Sequence, residues 1–338
     1  MALFQRDLGI DLGTMFTRII EGGQMILEEP TVVAVDIEEL KMVAVGHEAL
    51  NMMGRVSQDA IQVTRPLQSG VVAYYELTER LLEFQVKKIS GPLGGFRPKN
   101  LTRIMITHPY GITSVERRAV HEAALQVGDA FMLPTPLAAA IGVDLPIGTP
   151  SGNMIVCMGG GCTQAAVMAM NDIVSGETLR QGGLQLDEAI ASYVRKKYGL
   201  IIGQPTAEQI KLSIGAAVPQ DEEKSLDLQG QDQVSGLPRA FTFTTGEVVE
   251  AVQPALEAVF ETIRQVLEKT PPELASDIID RGIALCGGAA LLRGMDKLMT
   301  QKLGVPTYLV DNPITCMGEG AERGLEMLPI LRRNVPQL

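Results

Sequence analysis

The sequence predicts an α/β protein of two similar lobes. Three observations predict it: a repeated glycine-turn hairpin, helical stretches between apolar strands, and a composition rich in glycine but poor in aromatics. The chain has 338 residues, more than one hydrophobic core ordinarily fills. Hydrophobic residues make up 46% and charged residues 20%, a balance that argues against disorder. Its 35 glycines and 4% aromatics suit glycine turns between aliphatic strands better than an aromatic-rich sandwich. A net charge of −11 without a basic block argues against nucleic-acid binding, which needs clustered Lys and Arg.

The elements follow in order. Leu8-Gly9-Ile10-Asp11-Leu12-Gly13-Thr14, then Phe16 to Ile20, reads as a buried strand, a glycine turn and a second strand. Met154 to Gly161, then Thr163 to Met168, repeats the pattern roughly one domain length later. Tyr74–Ile89 reads as helix, as does the stretch after Thr113, whose spacing to Glu116 is that of a capping box. Leu184 to Tyr198 and Thr206 to Gly215 read as two further helices, the second with Thr206 and Gln209 as its cap pair. Residues from Asp221 to Phe243 alternate polar and apolar, as a small β-rich insert does. From Gly246 to Lys269 a long amphipathic helix places Val248, Val252, Leu256, Val259, Ile263 and Val266 on one face. Thr244 and Glu247 cap it, and Thr270-Pro271-Pro272 stops it. Asp280 to Gly294 reads as strand, glycine turn and helix, and Cys316–Leu328 as a last helix.

Three glycine turns therefore follow apolar strands: Asp11 to Thr14, Gly159 to Thr163, and Gly287-Gly288-Ala289. Glycine lets backbone amides approach a ligand, and successive amides make an anion nest. One such loop is usually only a turn; three, two of them repeat-related, point to one clamped polyphosphate. The four cysteines, Cys157, Cys162, Cys286 and Cys316, show no CxxC pairing and read as reduced thiols rather than as a metal or redox site. No apolar run reaches bilayer length and the N-terminus lacks a signal-peptide pattern, so the expected location is the cytosol.

These residues carry a resemblance. The first hairpin resembles the phosphate-1 motif of the actin, sugar-kinase and heat-shock chaperone superfamily, the second its phosphate-2 motif, and Gly282 to Gly294 its adenosine motif. Within it the chain is similar almost end to end to the MreB family of bacterial actins, through Arg65-Pro66-Leu67, Thr113 to Val120, Pro136 to Gly142, Thr206 to Lys211, the stretch around Arg239, Thr270 to Ala275 and Asp311 to Cys316. The resemblance implies an actin-like fold of two ribonuclease-H-like cores with small satellites around a nucleotide cleft. Residues 1–32, 67–148 and 314–338 would form subdomain IA, 33–66 IB, 149–182 with 245–313 IIA, and 183–244 IIB. It implies ATP and Mg²⁺ as ligands. Asp11, Gly13 and Thr14, with Met15 and Phe16 in the same loop, would approach the phosphates, and Asp11 the metal. Gly159, Gly160 and Gly161 would cradle the β- and γ-phosphates, Gly287, Gly288 and Ala289 would lie along the adenosine, and Glu208 and Lys211 would meet ribose and adenine.

The chain departs from the family where chemistry is done. Cys157 stands where the repeat predicts an acid opposite Asp11, and Thr135 where the family carries a glutamate that orients or activates water. Cys162 replaces a threonine, Gln164 a glutamate, and Phe16 an asparagine. A neutral thiol is a poor ligand for hard Mg²⁺, and loss of a general base or water-positioner costs about 10²–10⁴-fold in rate. Hydrolysis is therefore expected to be very slow or absent. Phe16 counts against nucleotide entry, and the surviving glycines count for it.

The resemblance further implies self-assembly into an open head-to-tail polymer. It also implies partners among inner-membrane morphogenesis and wall-synthesis proteins, and work at the inner face of the cytoplasmic membrane in cell shape. Leu3, Phe4 and the loop Leu93-Gly94-Gly95-Phe96 are the apolar residues on offer for membrane contact. A small-molecule kinase would need an acceptor-binding insertion for which the near-gapless match leaves no room. A chaperone would need a separate substrate domain. A non-polymerising adaptor that modulates other filaments shares all of these features and stays open.

Overall fold

Strands Arg6–Leu12 and Phe16–Glu21 pair antiparallel with Asp11 opposite Arg18, so the first expected hairpin forms in the computed structural model. The second does too, from strands Asn153–Met158 and Thr163–Ala169 with Cys157 opposite Gln164. The structure describes residues 6–57, 59–90 and 101–334. Leu3, Phe4 and Leu93 to Phe96 lie outside them, and no helix among the described residues is long and apolar enough to cross a membrane.

Each hairpin anchors a five-stranded sheet, and the two sheets share one topology. In the first, Arg6–Leu12, Phe16–Glu21 and Gln24–Pro30 form an antiparallel meander. On the other side of Arg6–Leu12 lie the parallel strands Thr102–His108 and Asp129–Pro134. In the second, Asn153–Met158, Thr163–Ala169 and Asp172–Leu179 are the meander, and Ile283–Cys286 and Thr307–Leu309 the parallel strands. Helices Ser114–Leu125 and Met295–Leu303 make the corresponding crossovers. The repeat in sequence is thus a repeat of architecture. Near-continuous burial along Asn153–Met158 and Thr163–Ala169 explains their unbroken apolar runs, as a sheet covered on both faces requires.

Smaller sheets flank these cores: Met42–Val45, Val33–Asp36 and Ile61–Thr64 in one, and Leu200–Ile201, Ser225–Asp232 and Pro238–Thr244 in the other. The long helix runs Thr245–Lys269, closed by the reciprocal Thr244–Glu247 capping box, and all six residues of its expected apolar face are buried. The Thr113–Glu116 box caps Ser114–Leu125 in the same way.

Three expectations are corrected. The helix placed at Thr206 to Gly215 spans Gln204–Ile214 and starts from Gly203 without a side-chain cap, because Pro205, pre-set for helix in its first turn, draws the start forward. Asp280 is not strand: helix Pro272–Arg281 contains it, and Gly282, at φ +82°, turns the chain into Ile283–Cys286. The glycine turn after that strand runs into the 3-10 turn Gly288–Leu291, and the helix begins only at Met295.

Helices Thr135–Gly142 and Cys316–Glu326 lie against both large sheets. Leu137, Ala138, Cys316 and Ala321 share one apolar cluster with Met105 and Leu133 of the first sheet and Ile155 and Ala284 of the second. The two helices meet at glycine. A Cβ on Gly320 would lie 1.7 Å from the Ala138 carbonyl oxygen, and one on Gly142 would lie 2.0 Å from that of Cys316.

Candidate nucleotide cleft

Both hairpin turns close alike: the Gly13 N–H donates to the Phe16 carbonyl at 3.1 Å and the Gly159 N–H to the Cys162 carbonyl at 2.9 Å. The turns also face one another closely. A Cβ on Gly160 would lie 2.1 Å from Met15 Cγ, and one on Gly161 would lie 2.2 Å from the Thr14 hydroxyl oxygen. Gly287 sits at φ +93° with the Met158 carbonyl where a Cβ would go, so the third turn needs glycine on both counts. The Gly183 and Leu184 N–H groups donate to the Gly159 and Gly160 carbonyls at 2.9 Å. The N-terminal, electropositive end of helix Gly183–Tyr198 therefore abuts the second turn.

The three turns line one cavity of ≈ 340 Å³, within the range of small-molecule sites. Its wall contains Asp11, Gly13, Thr14, Met15 and Phe16 from the first turn, Cys157 and Gly159 to Gly161 from the second, and Gly287, Gly288 and Ala289 from the third. Thr135, Glu208 and Lys211 complete the residues singled out from sequence. Their convergence is a geometric fact; the ligand is a separate matter.

The polar groups at the hairpin end are engaged with one another. Asp11 is buried; its Oδ1 accepts from Thr107 at 3.0 Å and its Oδ2 lies 3.8 Å from the Arg18 guanidinium. Burial pushes its carboxyl up, against the pull of Arg18 and Thr107. The Cys286 thiol donates to Cys157 Sγ at 3.3 Å. That bond lowers the Cys157 pKa, but burial and the neighbouring Cys316, Cys162 and Asp11 leave it raised, so the thiol stays neutral. The Thr135 hydroxyl donates to the His108 carbonyl at 3.0 Å, and Gln164 Oε1 accepts from the Tyr110 N–H at 2.8 Å. Neither side chain is a base.

At the other end Lys211 pairs with the buried Asp187 at 2.7 Å, and it donates to the Gly183 carbonyl at 2.9 Å. Glu208 accepts from Gln204 at 3.2 Å. Sequence reasoning missed Asp187, Arg18 and Glu28. Spacing gives no signal for Asp187, which sits on another helix. Arg18 and Glu28 become visible only when strand register sets them beside Asp11.

The donor set does not fit a magnesium ion. Asp11 is the one carboxylate at the two hairpin turns, its Oδ2 faces a guanidinium, the opposite strand offers a neutral thiol, and hard Mg²⁺ asks for oxygen ligands. Among the described residues no group of three or more His, Cys, Asp or Glu is placed to hold a metal ion. All four cysteines are free thiols. The glycine turns do fit a polyphosphate.

His108, whose carbonyl holds Thr135, is itself buried with Nδ1 donating to the Pro109 carbonyl at 2.8 Å. Burial pushes its pKa down to about 4 from 6.5, outweighing that hydrogen bond, with Arg117 adding to the fall. The unfolded chain then binds this proton more readily between those values, so stability is complete above pH 6.5 and falls as pH drops toward 4. The loss reaches about 3 kcal/mol. Urea denaturation at pH 7 and pH 5 should show about 2 kcal/mol of it, and His108→Gln should flatten the difference.

Two sheets of one topology, with glycine turns meeting between them, define an actin-like two-lobed protein. The MreB/Mbl protein family model matches residues 5–333. The chain is 41% identical to the cell shape-determining protein MreB of Escherichia coli over 333 residues, covering 96% of this chain and 95% of that protein. The crystal structure of MreB5 of Spiroplasma citri bound to AMPPNP matches with a TM-score of 0.89 at 31% identity, covering 96% of this chain and 97% of that one. A MamK double helical filament shares the fold, with a TM-score of 0.78 at 22% identity over 95% and 99% of the two chains. The chain belongs to the MreB/Mbl family of bacterial actin homologues.

Proposed function

We propose that this protein is a filament-forming bacterial actin that clamps ATP between its lobes and hydrolyses it very slowly or not at all. One observation carries the reading: three glycine turns converge on one cavity in which the positions that should act on the attacking water and the metal are Thr135 and Cys157, both engaged in neutral contacts. Binding is supported by the AMPPNP and ADP named for the two Spiroplasma citri MreB5 structures. Weak turnover follows from chemistry. Phosphoryl transfer to water depends on positioning and charge neutralisation, and a threonine hydroxyl already donating to a carbonyl does not take a proton from water.

The MamK filament supports self-assembly of this fold. The cell shape-determining names of the relatives support a role in cell shape; the proposal extends this to the cytoplasmic face of the membrane, with the membrane itself and wall-synthesis proteins as partners. A filament that does not turn over its nucleotide persists until something else removes it. Sedimentation with ATP, with and without anionic vesicles, tests this: pelleting with ATP alone and further recruitment by vesicles is the expected result. A chain that stays in the supernatant under both conditions would instead be an adaptor for other filaments.

A further inference from the structure

We propose that this cleft takes its nucleotide without a divalent cation, the Arg18 guanidinium standing as the cation at the phosphate end. The inference rests on the nucleotide reading above and deepens it. Arg18 lies in strand Phe16–Glu21 between its register partners Asp11 and Glu28, so the three side chains form a row across the sheet, and all three line the cavity. Its Nη2 lies 2.8 Å from Glu28 and its Nε donates to the same carboxylate at 3.0 Å. The guanidinium carbon stands 5.3 Å from the centre of the Phe16 ring. The side chain is only 13% exposed. A guanidinium paired to Glu28 is thus held at the end of the cavity where Asp11 would otherwise receive a hydrated metal.

Glu28 balances the guanidinium and burial pushes the Asp11 carboxyl toward its neutral form, so what the row offers an anion is the unused N–H edge of Arg18. Arginine offers five N–H donors in a planar fork that suits phosphate. Glu28 takes one edge of that fork, while Nη1, 3.8 Å from Asp11, is too far for a hydrogen bond and remains free to donate to a phosphate oxygen. A magnesium ion at Asp11 would sit beside this guanidinium, with the Cys157 thiol in place of a second oxygen ligand. The turn amides that the hairpins do not use internally supply further positive potential for the phosphates. Phe16, which looked like an obstacle to phosphate, is the surface on which the arginine rests.

Calorimetric titration of the full chain with ATP, in excess magnesium and in excess EDTA, tests this. The expected Kd in EDTA stays within about threefold of that in magnesium. Arg18→Gln should weaken binding in EDTA by about tenfold or more, the scale of a lost charge-assisted contact, and Arg18→Lys should recover part of it. Tight wild-type binding in magnesium that disappears in EDTA would overturn the inference and leave the nucleotide clamp standing. No binding in either condition would overturn both. Should the variants fail to fold, the wild-type comparison decides alone; should Arg18→Gln bind in EDTA like wild type, the arginine has no such role.

Discussion

Thr135→Glu raises phosphate release by about 10²-fold, the lower end of what a general base contributes. Thr135 lines the cavity at the first position of helix Thr135–Gly142, and its hydroxyl is tied to the His108 carbonyl. A carboxylate there suits the positive end of the helix and reaches a water that a threonine cannot deprotonate. The gain stays at the low end because Cys157 leaves the opposite strand without a carboxylate. The check is single-turnover release of inorganic phosphate from wild type and variant side by side, with ATP binding confirmed in both. Equal rates would show that the missing glutamate is not what limits the chemistry.

Gly320→Val lowers the melting temperature by about 4 °C, the effect of some 3 kcal/mol in a chain of this size. The Ala138 carbonyl oxygen stands 1.7 Å from where the new Cβ would be, and it is backbone inside a neighbouring helix, so no rotamer relieves the clash. The helices must separate, and with them the apolar cluster that ties the first sheet to the second. Thermal melting followed by circular dichroism measures the loss. An unchanged melting temperature would mean that the helix pair is not the joint between the sheets.

The framework was legible because its signals are local. An apolar strand, a glycine turn and a second strand form a hairpin wherever they occur, so residues 8–20 and 154–168 declared themselves. The reciprocal caps at Thr113 and Thr244 are fixed by a three-residue spacing and formed as read. What spacing could not show is partnership between elements. Lys211 and Glu208 lie three residues apart, yet the lysine pairs with Asp187, because burial on a separate helix makes that carboxylate the stronger claim on a cation. Arg18 is unremarkable in a strand until register sets it between Asp11 and Glu28. Cys157 and Cys286 stand far apart in sequence, and parallel pairing of their strands brings their sulfurs to 3.3 Å. Thr206 misled because a cap pattern was present, while Pro205 and Gly203 began the helix earlier.

The proposed clamp holds ATP and does not cut it. Calorimetry with ATP and phosphate release on one and the same polymerised sample addresses it directly. Saturable binding, with the nucleotide recovered intact as ATP after assembly, is the expected result. Steady phosphate release by the wild-type protein, at a rate that Thr135→Glu does not raise, would contradict it.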